Sequence, residues 1–302
     1  MGFVVGVDLG GTATKIAVFN EQGEIRASTQ IKTRTEDGGK HILGDIASAV
    51  RAVLNEEAIE LDELVGIGVG VPGPVMDGRT VTSCVNLGWG ETDVASFLER
   101  ELGCKCRIGN DANVAALGEA WKGASRDTHS SVMITIGTGV GGGVIVNDRI
   151  ITGFHGGGGE VGHFPIHPGV QGRVCGCGSP YCLEAFTSAN GVVADYLAAT
   201  GKNMSCEEVF DAAKNGEPEA LAVVDNMQRL LGQACAFIAS VVDPEVFVIG
   251  GGVSKAGEFL AEGIRKYYDH YVFSSIKGSK IVLAELGNEA GVYGAAKLVL
   301  SD

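Results

Sequence analysis

The sequence is short of positive charge. It has 23 Lys and Arg against 37 Asp and Glu, a net charge of −14 over 302 residues. A nucleic-acid binder needs a basic face, so the charge argues against that class. The same field opposes any polyanionic substrate, which would have to be met by local amides and a metal ion. No apolar run reaches the ~18 residues of a membrane-spanning helix. No signal peptide precedes the first apolar strand. Without an export signal the eight cysteines are expected to stay reduced, and the protein is expected in the cytoplasm. Its 47 glycines follow no collagen period, so they mark turns and close backbone approaches instead. The glycine turn at Gly10 and Gly11 is not followed by Lys-Ser/Thr at Walker spacing, which excludes a P-loop. What remains is a chain 45% hydrophobic and 20% charged, able to fill an ordered core and long enough for two lobes.

The densest chemistry lies between Glu160 and Glu184. His163, Cys175, Cys177 and Cys182 fall within twenty residues of one another, with Gly176 and Gly178 allowing the turn that gathers three thiolates. This is a Cys₃His set, closed and tetrahedral, the pattern of a structural zinc site with no open position for an activated water. His155 and His167 are alternative fourth ligands. Cys104 and Cys106 alternate at a strand entrance and read as core rather than as a second metal site.

Along the chain, FVVGVDLGGTATKIAVFN reads as strand, glycine turn, strand. Gly10 and Gly11 with Thr12, Thr14 and Lys15 offer amides, hydroxyls and a cation to phosphate oxygens. Asp8, at the strand end, suits hydrated Mg²⁺. An ordinary hairpin remains the plain reading of this segment alone. A third strand near 24–31 and a helix over about 38–57 follow, then the buried strand LVGIGVGV, which runs into the turn at Gly73 and Pro74. Asn86 lies in a loop beside Trp89, as a sugar-binding amide or a turn former. A second helix spans about 93–102. Asp111 stands where a strand ends and a helix begins, as helix cap or general base. The stretch SVMITIGTGVGGGVIVN then repeats the opening, its second glycine turn holding Gly137, Thr138 and Gly139. A strand over about 149–152, helices near 190–199, 206–214 and 219–241, the strand VFVIGGG, a helix to about 271, a strand over 280–284 and a last helix over 289–300 complete the chain. Residues 3–123 and 130–300 both read βββαβαβα, the second with a metal-bearing insertion of about 154–216. This repeat of architecture favours the phosphate reading of both turns, which would face one polyphosphate across a cleft.

The segments DLGGT (8–12), VPGPV (71–75), NDANVAALGE (110–119), IGTGVGGG (136–143), EVGH (160–163), CGCGSPYCLE (175–184) and IGGGVS (249–254) resemble the ROK sugar kinases. Over nearly the whole chain they are most similar to that family's bacterial glucokinases. The resemblance implies a two-lobed ribonuclease H-like fold of the actin-like ATPase and hexokinase type. Its small lobe would cover 1–123, with the last helix, 289–302, packed back on it, and its large lobe 124–288. It implies ATP-dependent phosphorylation of glucose at the 6-hydroxyl, a step of glycolysis, with Asp111 as general base. Gly73, Asn86, Asn110, Asp111, Glu160, His163 and Glu184 would bind the sugar. Asp8, Gly10, Gly11, Thr12, Lys15, Gly137, Thr138, Gly139, Gly251 and Gly252 would bind nucleotide and Mg²⁺. His163 would serve zinc through one ring nitrogen and sugar through the other. A homodimer or homotetramer is expected, with no nucleic-acid or membrane partner. The alternatives are a ROK kinase for N-acetylmannosamine, N-acetylglucosamine or fructose, a sugar-responsive repressor (for which no room is left ahead of Phe3), a polyphosphate-dependent kinase, and an actin-like structural or chaperone ATPase.

Overall fold

The computed structural model describes residues 2–166 and 172–301. Contacts divide the chain into two compact units. The first comprises Met1–Arg126, Ile150–Gly158 and Asn288–Asp302; the second comprises Asp127–Arg149 and Gly159–Gly287.

The first unit opens with β1 (Phe3–Leu9), β2 (Ala13–Asn20), β3 (Ile25–Lys32), α1 (Ile42–Glu56) and β4 (Leu64–Val71). It continues through β5 (Val75–Met76), β6 (Thr80–Val81), β7 (Thr92–Asp93), α2 (Val94–Leu102), β8 (Lys105–Asn110) and α3 (Asp111–Lys122). Its main sheet has the order β3-β2-β1-β4-β8. The first three strands pair antiparallel, and β1, β4 and β8 run parallel. Alternation along β1 and β2 explains the two-sided core. Val5, Val7, Leu9, Ile16 and Val18 pack with Ile42, Ile46 and Val50 of α1 and Leu98 of α2. Val4, Ala17 and Phe19 bury into a separate cluster. The parallel register sets Asp8 opposite Gly70, Gly70 opposite Gly109 and Val71 opposite Asn110. The carboxyl ends of three strands therefore finish level, where parallel sheets hold ligands.

The second unit has β9 (Ser131–Ile136) and β10 (Val140–Val146), and β11 (Arg149–Ile150) begins on its last residue before the chain returns to the first unit at Ile150. After these come α4 (Glu184–Thr187), α5 (Ala189–Thr200), α6 (Cys206–Lys214), α7 (Pro218–Val242), β12 (Val246–Gly250), α8 (Glu258–Tyr271) and β13 (Lys280–Leu283). The sheet order β11-β10-β9-β12-β13 reproduces that of the first unit, so the architectural repeat read from the sequence is present in the sheets. Pro at the first turn of α7 and a left-handed Asp243 after its last residue bound that helix. The final helix, α9 (Ala290–Leu300), belongs to the first unit, where Val292, Ala296 and Val299 join Val4, Ala17 and Phe19. It lies so close to α3 that a Cβ at Gly294 would overlap the Val114 carbonyl. Glycine is required there, and it ties the helix that bears Asp111 to the sheet.

Three expectations are corrected. The segment Ile150–Gly158 groups with the first unit, not with a lobe running from 124 to 288. Gly156 sits flat on β5, where a Cβ would come within 2.6 Å of the Val75 carbonyl. The strand expected over 149–152 stops at Ile150. The first helix starts at Ile42 rather than near 38, because Asp37, Gly38 and Gly39 take positive φ. The small sheet β5-β6-β7 was not foreseen. Among the described residues no helix is long and apolar enough to cross a membrane.

Candidate active site and metal centre

In the first unit the junction of β8 and α3 is set by Asn110, not Asp111. The Asn110 Oδ1 accepts from the Ala112 amide at 3.0 Å and the Asn113 amide at 3.2 Å, making Asn110 the helix cap. Its Nδ2 donates weakly, at 3.4 Å, to the Gly73 carbonyl. Asp111 is therefore the first helical residue, with an exposed side chain whose Oδ1 accepts from the Ala112 amide at 2.8 Å. Asn86 is also exposed, on a short turn closed by reciprocal Cys84–Trp89 backbone hydrogen bonds of 2.8 and 3.0 Å. Trp89 itself is buried, its indole N–H donating to Gly39 O at 3.2 Å, so it is core and no wall of a pocket.

Asp8 ends β1 with Lys15 as its cross-strand neighbour, and it lies against Gly291 at the start of α9. Burial raises its carboxyl above the ordinary range, partly opposed by the Lys15 charge. The Lys15 ammonium donates to Asn288 O at 2.8 Å. In the turn the Gly10 amide donates to Ala13 O at 3.1 Å, leaving Gly11 and Thr12 exposed at the tip. Thr14, read as a phosphate hydroxyl, is instead buried and shares a 2.8 Å hydrogen bond with Thr33.

In the second unit the candidate metal ligands come together. The ligand atoms of His163, Cys175, Cys177 and Cys182 all lie within 4.8 Å of one another. Cys177 Sγ is 3.4 Å from Cys182 Sγ, and Cys175 Sγ is 3.8 Å from His163 Nδ1. The other ring nitrogen, Nε2, is 3.8 Å from Glu160 Oε2. Nδ1 is thus placed for metal and Nε2 for a carboxylate or a hydroxyl, an orientation that metal-bound imidazoles favour. Three thiols and one imidazole fit zinc. His155 falls in the other unit, and His167 lies outside the described residues. Local geometry explains the closure. The Cys175 amide donates to Ser179 O and the Gly178 amide to Cys175 O, both at 2.8 Å, and Pro165 bridges Cys182. A Cβ at Gly162 would overlap the Val140 carbonyl, so only glycine lets the EVGH turn sit against β10. Burial pushes the Cys175 thiol up to about 12, and it donates to Glu184 Oε1 at 3.3 Å. Among the described residues no other metal-type cluster occurs. Cys106 is buried, with its thiol pushed up by burial, as a core residue.

Glu184 links this loop to the second glycine turn, its Oε2 accepting from the Val140 amide at 2.9 Å. The Ala189 amide at the head of α5 donates to Gly137 O at 2.8 Å, and the Gly137 amide closes on Gly139 O at 2.9 Å. Thr138 is left exposed at the tip. Gly137, Thr138 and Gly252 line a cavity of about 570 Å³. Phe210 and Lys214 of α6 and Lys255 line it too. None of the three was found from the sequence: Phe210 and Lys214 belong to no motif and reach the cavity through the packing of α6, while Lys255 follows directly on the IGGGVS segment, on the turn Gly252–Ala256.

The family model of the ROK family matches residues 4–302. The glucokinase of Halalkalibacterium halodurans is 39% identical over 98% of this chain and 94% of its own length. The N-acetyl-D-glucosamine kinase of Vibrio atlanticus is 33% identical over 97% and 98%. A ROK family glucokinase from Streptomyces griseus, solved in complex with glucose and AMPPNP, superposes with a TM-score of 0.78 at 31% identity, each chain covered in full. The fold is accordingly the two-unit, actin-like α/β fold of ROK sugar kinases, and the chain belongs to the ROK family.

Proposed function

We propose that the chain transfers the terminal phosphoryl group of ATP to the 6-hydroxyl of glucose. The observation that carries this reading is the position of Asp111. It is an exposed carboxylate on a helix already capped by Asn110, so the acid is not needed to end the helix. In a loose transition state the proton leaves late, so an ordinary carboxylate suffices as base. Gly73, Asn86, Asn110, Glu160, His163 and Glu184 would orient the sugar. Gly10, Gly11, Thr12, Lys15, Gly137, Thr138 and Gly139 would meet the phosphates, and Gly251 and Gly252 the nucleoside. Asp8 would hold the Mg²⁺ that arrives with ATP and neutralises phosphate charge. His163, Cys175, Cys177 and Cys182 would hold a structural zinc that fixes the loop bearing Glu160. A cytoplasmic homodimer or homotetramer belongs to the same proposal.

The test is ADP release with Mg·ATP against glucose, mannose, fructose, N-acetylglucosamine and N-acetylmannosamine, for the wild type and Asp111→Ala. Glucose is expected to be preferred. The variant is expected to lose about 10²–10⁴-fold in turnover while its glucose affinity changes less. Preference for an N-acetyl sugar would move the specificity to the class of the Vibrio relative. Near-normal turnover by Asp111→Ala would remove Asp111 as base, and no turnover on any sugar would sink the kinase reading.

A further inference from the structure

We infer that Thr33 is a positioning residue for the first glycine turn: its hydroxyl and its amide together hold Gly10 to Thr12 so that the Gly11 N–H faces a phosphate. The inference rests on the kinase reading and adds to it a residue that lies in none of the segments resembling the family. Thr33 follows directly on β3 and is only 4% exposed. Its Oγ1 donates to the Gly10 carbonyl at 2.7 Å, across 23 residues of chain. Its amide donates to the Thr12 carbonyl at 3.0 Å. One residue therefore grips the turn on both sides of its tip. A hydroxyl has a single hydrogen, and Thr33 gives its own to Gly10. The 2.8 Å contact between the Thr14 and Thr33 hydroxyls must then have Thr14 as donor. Thr14 is 1% exposed. The buried hydroxyls thus form a chain of one direction, from Thr14 through Thr33 to the turn.

The consequence follows from the peptide plane. In a trans peptide the carbonyl and the next N–H point in opposite directions. Drawing the Gly10 carbonyl inward onto Thr33 turns the Gly11 N–H outward, and Gly11 is exposed. The Gly10 amide is instead directed at Ala13 O, at 3.1 Å. Of the two glycines, Gly11 is the one whose amide this geometry presents. A glycine turn without such a grip would sample many orientations, whereas an amide already aimed at the site needs no reorganisation when phosphate charge arrives. Packing alone does not ask for a hydroxyl at this place. Valine has the shape of threonine, but its side chain can neither donate to Gly10 nor accept from Thr14.

The experiment combines ADP release with direct titration of Mg·ADP, on the full chain, for the wild type, Thr33→Val and Thr33→Ser. Thr33→Val keeps the shape and the backbone amide and removes the hydroxyl. It is expected to raise the KM for Mg·ATP and the Kd for Mg·ADP about tenfold. The KM for glucose is expected to stay within about twofold of the wild type, and the thermal midpoint to fall by only a few degrees. Thr33→Ser keeps the hydroxyl and removes the methyl, and is expected to return both nucleotide constants to within about twofold of the wild type. Unchanged nucleotide constants in Thr33→Val, with the wild type active, overturn the role of Thr33 and leave the kinase reading intact. Thr33→Ser no better than Thr33→Val assigns the effect to shape and overturns the hydroxyl. A parallel rise in the KM for glucose makes Thr33 a general packing residue and overturns the inference as well. A wild type that neither turns over a sugar nor binds Mg·ADP removes the kinase reading, and the inference falls with it.

Discussion

At the scale of single residues, Asp8, proposed above to hold Mg²⁺, is a carboxylate whose charge works against the fold. Burial raises its folded-state pKa, so the folded protein prefers the protonated acid. The sign follows from linkage. The favourable contribution is complete below the unfolded value of about 3.9 and is lost as pH rises through the raised folded value. At neutral pH the charged carboxylate therefore destabilises the chain in the absence of a cation. Asp8→Asn is expected to raise the thermal midpoint at neutral pH without Mg·ATP, to give no gain below about pH 3.9, and to lose most turnover. A gain that persisted undiminished in acid would assign the effect to shape rather than charge. Such trade-offs are usual at functional sites. The residue scale is also where the sequence was most legible. The four candidate metal ligands sit close in the chain, so the spacing of His163, Cys175, Cys177 and Cys182 singled them out, and their ligand atoms lie within 4.8 Å of one another. Division of labour between Asn110 and Asp111 was not legible, since either side chain can cap a helix. Nor was the partner of Lys15, because Asn288 lies 273 residues away.

At the scale of elements, the EVGH turn, the cysteine loop and α4 form one hydrogen-bonded body with the second glycine turn. The connections run through Glu184 to Val140 and through Ala189 to Gly137. A metal holding the four ligands would lock the loop at its free end. One zinc per chain is expected by elemental analysis. In the loaded protein Cys175, Cys177 and Cys182 are expected to resist a thiol reagent. After chelation Cys177, which is exposed, should react first, and the buried Cys175 and Cys182 should follow. Because the loop is braced to the glycine turn, chelation should weaken ADP binding as well as glucose binding. Unchanged thiol reactivity after chelation would remove the metal from the account, and intact ADP affinity would remove the coupling. Long apolar strands and helices were readable from periodicity. Two-residue strands such as β5, β6 and β7 have no period to read, and α4 is a single turn. The grouping of Ile150–Gly158 with the first unit depends on a glycine meeting a strand about eighty residues earlier in the chain. No local pattern encodes that contact.

At the scale of the whole molecule, the net charge of −14 sets the terms on which a nucleotide can bind. Mg·ATP keeps a net negative charge, so the mean field of the chain repels it, while the glycine amides proposed to meet the phosphates, and Lys214 and Lys255 on the cavity of the second unit, would attract it only at short range. Salt separates these two contributions. The screening length falls from about 30 Å at 0.01 M to about 8 Å at 0.15 M ionic strength. Over that interval the long-range repulsion is suppressed, whereas contacts made at hydrogen-bond distance are screened much less. The KM for Mg·ATP is therefore expected to fall as salt rises, by up to about tenfold, with the KM for glucose, a neutral substrate, nearly constant. Both constants can be taken from the same ADP-release assay in a salt that neither chelates Mg²⁺ nor competes for phosphate sites. A KM for Mg·ATP that rises with salt would mean that the local cations outweigh the acidic surface at the distance of encounter. In that case neutralising Lys214 and Lys255 should abolish the salt effect. Should repulsion dominate, the same pair of substitutions should weaken nucleotide binding at every salt concentration and leave the downward slope in place.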